Sequence, residues 1–201
     1  MLSGRRLDLL DPSPLDIEIE DIAHGLARVA RWNGQTQGKH SFSVAQHSVL
    51  VEAIAHFILN DPSHKLGRAV APTEKEALNI ALTALLHDAA EYVIGDMITP
   101  LKSMLSTSYK DVEHRLMGAI HMRFGVPVEP GADVLKVIKQ ADSVAAFYEA
   151  VLLAGFTKAE AEALFGAQVR LPKVILLLLE PLATEDAQAL FLARFGEIKG
   201  V

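Results

Sequence analysis

An all-α, single-domain fold is predicted by three observations. Half of the residues are hydrophobic while only 6% are aromatic, and alanine and leucine dominate, a balance that favours helix over strand. Apolar residues recur at helical spacing along most of the chain. Cap patterns open several of these stretches, with Ser43 three residues before Gln46 and Thr73 three residues before Glu76.

Taken in order, residues 1–16 read as irregular, with Asp11-Pro12-Ser13-Pro14 as a turn. Ile19, Ile22, Ala23, Leu26, Val29 and Ala30 predict a helix over 17–32. Gly34 to His40 is a polar loop. Ser43 then caps a helix running to about Leu59, with Gln46 as its capping-box partner. Asn60 to Thr73 reads as a long loop and Gly95 to Pro100 as a tight one. Between them, Thr73 opens a helix that ends near Glu91. Further helices are expected at about 108–124, 133–154, 157–165 and 184–195. Arg170 to Leu182 fits buried helix or buried strand by pattern, and Pro172 before the apolar run with Pro181 beyond it favours helix.

Composition narrows the chemistry. The chain has 201 residues, no cysteine and a net charge of −6. Disulfides and thiolate metal sites are thereby excluded, so any metal must be held by imidazole and carboxylate. The acidic balance argues against a nucleic-acid polymer as partner, because a phosphate backbone needs a basic footprint. A small phosphorylated substrate needs only local positive charge. No apolar signal core follows the basic N-terminus, and Val174 to Leu179 is far too short to cross a bilayer. A cytoplasmic protein with no membrane partner is expected.

The most informative residues are His87-Asp88, which close the apolar run Leu78 to Leu86. Burial of such groups without partners is costly, and a shared cation offsets that cost. His47 and Asp142 also sit in apolar, helix-like surroundings. Together they form an H…HD…D pattern suited to one divalent ion of the Mn, Co, Fe, Zn or Ni type. Glu91 follows Asp88 by three residues and His87 by four, one turn along the same predicted helix. Arg31 carries a planar fork suited to phosphate oxygens, and Trp32 is the only tryptophan. Asp96 follows Gly95 in a loop. His24 and His40 are candidates for supporting positions, Lys102 for phosphate contact, and His56, His64, His114 and His121 read as structural or exposed.

These residues carry a family resemblance. His47, His87-Asp88 and Asp142 resemble the motif of the HD-domain metal-dependent phosphohydrolases. Arg31-Trp32, Ser43-x-x-x-His47-Ser48, His87-Asp88-Ala89-Ala90-Glu91 and Gly95-Asp96-x-x-Thr99-Pro100-x-Lys102 resemble the YfbR-like 5′-deoxynucleotidase branch. The resemblance implies a helical HD-domain bundle with its core over about 17–150 and a C-terminal helical extension over 151–201. It implies that His47, His87, Asp88 and Asp142 ligate one divalent metal. It implies catalytic roles for Glu91, beside the attacking water, and for Asp96. Arg31, Trp32 and Asp96 are then the substrate contacts, with Trp32 helping to select the deoxyribose. The implied reaction removes phosphate from deoxyribonucleoside 5′-monophosphates. The alternatives are an HD hydrolase acting on a dNTP or signalling nucleotide, and a non-catalytic helical module stabilised by its metal. The apolar stretch Ala187 to Phe195 offers a face for a homodimer.

Overall fold

The protein is described by a computed structural model covering residues 1–60, 72–97 and 107–200. Among these, nine α-helices form the fold: α1 Ile19–Leu26, α2 Val44–Asn60, α3 Glu74–Leu85, α4 Glu91–Ile94, α5 Thr107–Phe124, α6 Ala132–Leu152, α7 Lys158–Phe165, α8 Lys173–Leu176 and α9 Thr184–Lys199. Strand pairing among the described residues is limited to one antiparallel bridge between Ala30 and Ser43. No described helix is long and apolar enough to cross a membrane. The Thr73 capping box at α3 forms as expected, and Thr157 builds a second at α7.

The bundle is organised around α2, which packs against α3, α6 and α9. Every residue from Val44 to Glu52 is buried, as expected of a helix with neighbours on all sides. Its first turns join Ile22, Leu26, Leu85 and Phe191 in one apolar cluster, and Leu50, Ile54 and Ile58 join Val137, Ala141 and Val144 in another. Buried polar residues on α2 therefore need partners. The Gln46 amide donates to Glu180 O at 2.8 Å and accepts from Leu182 N at 3.1 Å. Glu52, fully buried, takes two bonds from Arg194 on α9 at 2.7 and 2.9 Å. These contacts fasten the C-terminal segment to the central helix.

Several sequence expectations are corrected. The helix expected over 17–32 stops at Leu26, because Val29 to Arg31 is drawn into pairing with Phe42 to Val44. Ser43 does accept from Gln46 N, but the Gln46 side chain reaches the C-terminal segment and so does not close a capping box. The helix opened by Thr73 ends at Leu85 and is followed by a turn over 86–90. Within Arg170 to Leu182 the helical expectation is met, over a shorter span, by α8 and a 3₁₀ turn at Leu177–Leu179. Ala187, Phe191 and Phe195 lie in the protein's own core. The loop expected over 60–73 and the end of that over 95–100 fall mostly outside the described residues, as do Thr99, Pro100 and Lys102.

Gly25 lets α1 approach α4. A Cβ there would stand 2.6 Å from the carbonyl oxygen of Tyr92 and 2.7 Å from its Cβ. Gly25→Ala is therefore expected to push the two helices apart at a cost of ~1–3 kcal/mol. Thermal unfolding should show a melting temperature lower by several degrees, about 2–4 °C for each kcal/mol.

Candidate metal centre

Two helices and one turn bring the predicted residues together. His47 lies in the second turn of α2, His87 and Asp88 lie in the turn after α3, and Asp142 lies midway along α6. Ligand atoms of His47, His87 and Asp142 all fall within 4.8 Å of one another. Asp88 belongs to the same cluster, since its Oδ2 is 3.5 Å from His47 Nε2 and 3.1 Å from His87 Nε2. Asp142 Oδ1 stands 3.2 Å from His47 Nε2. The His47 ring is wholly buried, whereas Asp142 is half-exposed, so the cluster is open on the Asp142 side.

The two imidazoles are held in the same sense. Nδ1–H of His47 donates to Glu149 Oε1 at 2.6 Å, and Nδ1–H of His87 donates to Ala84 O at 2.8 Å. An ionised carboxylate and a carbonyl can only accept, which places the proton on Nδ1 in both rings. Each Nε2 is buried and, despite its nearby carboxylates, makes no well-aligned hydrogen bond. Two oriented lone pairs and two carboxylates thus face one another across a small gap. Metal-ligating histidines are usually fixed in this way, by a bond from the ring nitrogen remote from the ion. The donor set fits a divalent cation of the Zn, Mn, Fe, Co or Ni type.

Charge balance points the same way. Burial opposes ionisation of Asp88, but the adjacent His87 and the nearby His47 ring outweigh it and hold the carboxyl well below the usual range. Asp142 is lowered against burial by His47. Burial and Arg31 disfavour a charged His47, yet Glu149, Asp142 and Asp88 prevail and raise its pKa. Without a cation the carboxylates favour a proton on His47 Nε2, and a divalent ion would supply the positive charge they draw to that point.

Glu149 was missed by sequence reasoning. It is fully buried on α6, seven residues and two turns after Asp142. Besides His47 it receives the indole N–H of Trp32 at 2.9 Å and Arg31 Nε at 3.2 Å. Burial pushes its pKa up, but Arg31 and then His47 bring it down to about 2. The heptad spacing from Asp142 was a usable signal, although a glutamate beside Tyr148 also reads as a solvated face.

Arg31 and Trp32 are thereby drawn to the cluster. Arg31 Nη1 also pairs with Asp96 Oδ2 at 3.4 Å, which joins three predicted site residues, Arg31, Trp32 and Asp96, to the Glu149 network. Trp32 and Asn33 adopt left-handed φ values of 55° and 51°, a conformation that non-glycine residues rarely hold without support. The support is the Glu149 bond together with Phe156 and Phe165, whose rings lie 5.6 and 6.5 Å from Trp32. Glu91 is buried at the start of α4, and its N–H donates to Asp88 O at 3.0 Å. Residues three apart in such a 3₁₀-type turn stack on one face, so Asp88 and Glu91 share a side. No described bond links His24 or His40 to the cluster.

A helical bundle in which an adjacent His-Asp pair converges with a histidine and an aspartate from two other helices defines a protein of the HD type. Residues 21–160 match the family described as 5′-deoxynucleotidase YfbR-like, and the chain belongs to that family. It is 53% identical over 166 residues to an uncharacterized protein of Rhodobacter capsulatus, covering 83% of this chain and 78% of that one. It is 33% identical to YfdR of Escherichia coli over 56% of this chain and 49% of that protein. A 5′-deoxynucleotidase of Vibrio parahaemolyticus is 29% identical over 52% of this chain and 59% of that enzyme. The chain spans about half the length of the last two.

Glu149→Gln keeps the size of the side chain and removes its charge. In the wild type a depressed carboxylate contributes stability that is present above the unfolded pKa of 4.5 and lost as pH falls toward about 2. The contribution is about 3 kcal/mol. Acid unfolding followed by circular dichroism should show the variant less stable at pH 7, with the difference shrinking through that window. An unchanged acid profile would remove Glu149 from its central position.

Proposed function

We propose that this protein is a metal-dependent phosphohydrolase that removes phosphate from deoxyribonucleoside 5′-monophosphates. The observation that carries the proposal is the common orientation of His47 and His87, each tethered through Nδ1 with Nε2 turned toward Asp88 and Asp142. Membership of the family, and relatives named 5′-deoxynucleotidase, support the choice of substrate.

In this reading His47, His87, Asp88 and Asp142 hold one divalent cation. When bound, the cation acidifies water and neutralises charge on phosphoryl oxygens. Hydrolysis adds water across the P–O5′ bond: a new P–O bond forms, the P–O5′ bond breaks, and the departing oxygen takes up a proton. Glu91 is assigned as the group that takes the water's proton and returns one to the leaving oxygen, the usual part of a positioned carboxylate. Arg31 presents its guanidinium to the phosphate. Two of its nitrogens are bonded by Glu149 and Asp96, which fix the plane of the fork, and Nη2 has no partner among the described residues. Asp96 therefore acts first by orienting Arg31. Trp32, packed on Phe156 and Phe165, supplies a rigid wall for the sugar.

Protein loaded with Mn or Co should release inorganic phosphate from deoxyribonucleoside monophosphates, and chelation should stop the release. Asp88→Asn should lose bound metal by elemental analysis and lose phosphate release by 100-fold or more, about 3 kcal/mol in barrier. Arg31→Lys keeps the charge without the fork, and should raise KM more than it lowers kcat. A metal that raises the melting temperature while no phosphate ester is hydrolysed would overturn the proposal in favour of a structural ion. Release of triphosphate from a dNTP, seen by chromatography, would reassign the substrate.

A further inference from the structure

Trp32 stands apart from the main core. Among the described residues, the two large apolar clusters of the bundle are built without it. It belongs to a small third cluster, made with Phe147 and Ala150 of α6, Ala161 of α7, and Phe156 and Phe165 near the two ends of α7. Of the eight residues of α7 only Ala161 is buried, so this helix packs on one side and is solvated on the other. Gly155 and Gly166, both at φ 78°, turn the chain just before Phe156 and just after Phe165. Phe156 N donates to Ala150 O at 3.0 Å, and the Thr157 capping box fixes the start of the helix. The loop after Trp32 is tied to the same end of α6, where Gln37 N donates to Leu153 O at 2.8 Å.

The indole is therefore held by two devices of different kinds. Its N–H donates to Glu149 Oε2 at 2.9 Å. One hydrogen bond fixes a point on the ring and leaves its plane free to turn about that bond. Phe156 meets the indole at 5.6 Å with the planes 55° apart, and Phe165 meets it edge-on at 6.5 Å and 81°. Tilted and edge-on contacts at these distances are the favoured aromatic geometries, and two of them at different angles stop the plane from turning. A wall tells two sugars apart by a single hydroxyl only if it does not yield, since close packing penalises added volume where the surroundings cannot relax. Phe165 lies beyond residues 21–160, the span that matches the family.

We propose that α7 is the positioning element for Trp32, with Phe156 and Phe165 fixing the plane of the indole and thereby the discrimination between deoxyribose and ribose nucleotides. The assignment rests on the phosphohydrolase reading above and adds two positioning residues to it. Neither ring touches the substrate in this scheme; both act through Trp32.

The test reads Trp32 directly, because it is the only tryptophan in the chain. In Phe156→Leu and Phe165→Leu, quenching of its fluorescence by acrylamide should rise and fast local rotation should appear in the anisotropy decay, with the far-ultraviolet circular dichroism unchanged. Metal-loaded wild type should favour dAMP over AMP about 10- to 100-fold in kcat/KM, the range open to an apolar wall that rejects one added hydroxyl. Each variant should lower that ratio about tenfold, mainly through a lower KM for AMP. General destabilisation would depress both nucleotides alike and leave the ratio where it was. Leu164→Ser, on the exposed face of α7, should change neither reading. Thr157→Ala removes the cap of α7 and keeps both rings; it is the milder variant, and should shift both readings in the same direction. Unchanged quenching in the variants, a freer tryptophan with an unchanged ratio, or a wild-type ratio near one would overturn the proposal while leaving the hydrolase intact. If neither nucleotide is hydrolysed, the hydrolase reading fails by itself, and calorimetric titration with dAMP and AMP decides the role of α7. A preference for dAMP that narrows in the variants supports it, and an absent or unchanged preference overturns it.

Discussion

A carboxylate sealed inside a helical bundle is the constraint on which the site depends. Glu149 has no exposed surface, and an ionised group there is tolerable only with several aligned donors. Three separate side chains supply them: His47 from α2, and Arg31 and Trp32 from the turn that follows α1. Each donor is in turn immobilised. The His47 ring cannot rotate without breaking a 2.6 Å bond, and the Arg31–Trp32 turn is held in a left-handed conformation it would not otherwise keep. A single buried charge thus sets the orientation of one candidate ligand and of the arginine beside the cluster.

The same logic runs along α2. An apolar helix buried on all sides could be packed in several rotations of similar energy. Its polar residues remove that freedom. Gln46 reaches the Glu180–Leu182 segment, His47 reaches Glu149 on α6, and Glu52 reaches Arg194 on α9. These bonds point toward different neighbours, and only one rotation satisfies all of them. An unsatisfied buried polar group costs more than a satisfied one gains, so these residues act mainly by excluding alternative packings. The C-terminal helix is fastened in the process, through Arg194 as much as through Phe191 and Phe195.

What could be read from the sequence follows from which signals are local. Caps and periodicity are local, so α2, α5, α6, α7 and α9 were placed to within a few residues, as was the start of α3. His47, His87, Asp88 and Asp142 stood out because charged or imidazole groups in apolar runs are few, and the structure does bring them together. Glu52 carried no signal, and Glu149 only its heptad spacing from Asp142, because a lone glutamate on a helix is normally solvated. Their burial is decided by Arg194 and Arg31, which lie 142 and 118 positions away. His121 was read as structural or exposed, and only the fold shows that it is buried. The early end of α1 was hidden because Val29 and Ala30 continue the helical periodicity even though they pair with the chain entering α2.

The break after Leu85 shows how a local departure from regular structure serves the site. No glycine or proline stands between Leu85 and Glu91 to announce it. Leu86 leaves the helical region with φ −98° and ψ 7°, and the hydrogen bonds beyond it run mostly from residue i to i−3. In an uninterrupted helix the Ala84 carbonyl would accept the N–H of Asp88. Here it accepts the imidazole N–H of His87 at 2.8 Å instead. His87 is therefore oriented by its own turn, whereas His47 is oriented by a carboxylate from a distant helix. The two rings arrive at the same posture by different routes, one local and one tertiary. The local route also tightens the chain enough to set Asp88 beside the His87 ring and to place Glu91 on the side of Asp88. Extending α3 by one regular turn would keep every residue of the motif and lose the arrangement. The irregularity itself is thus part of what positions the cluster.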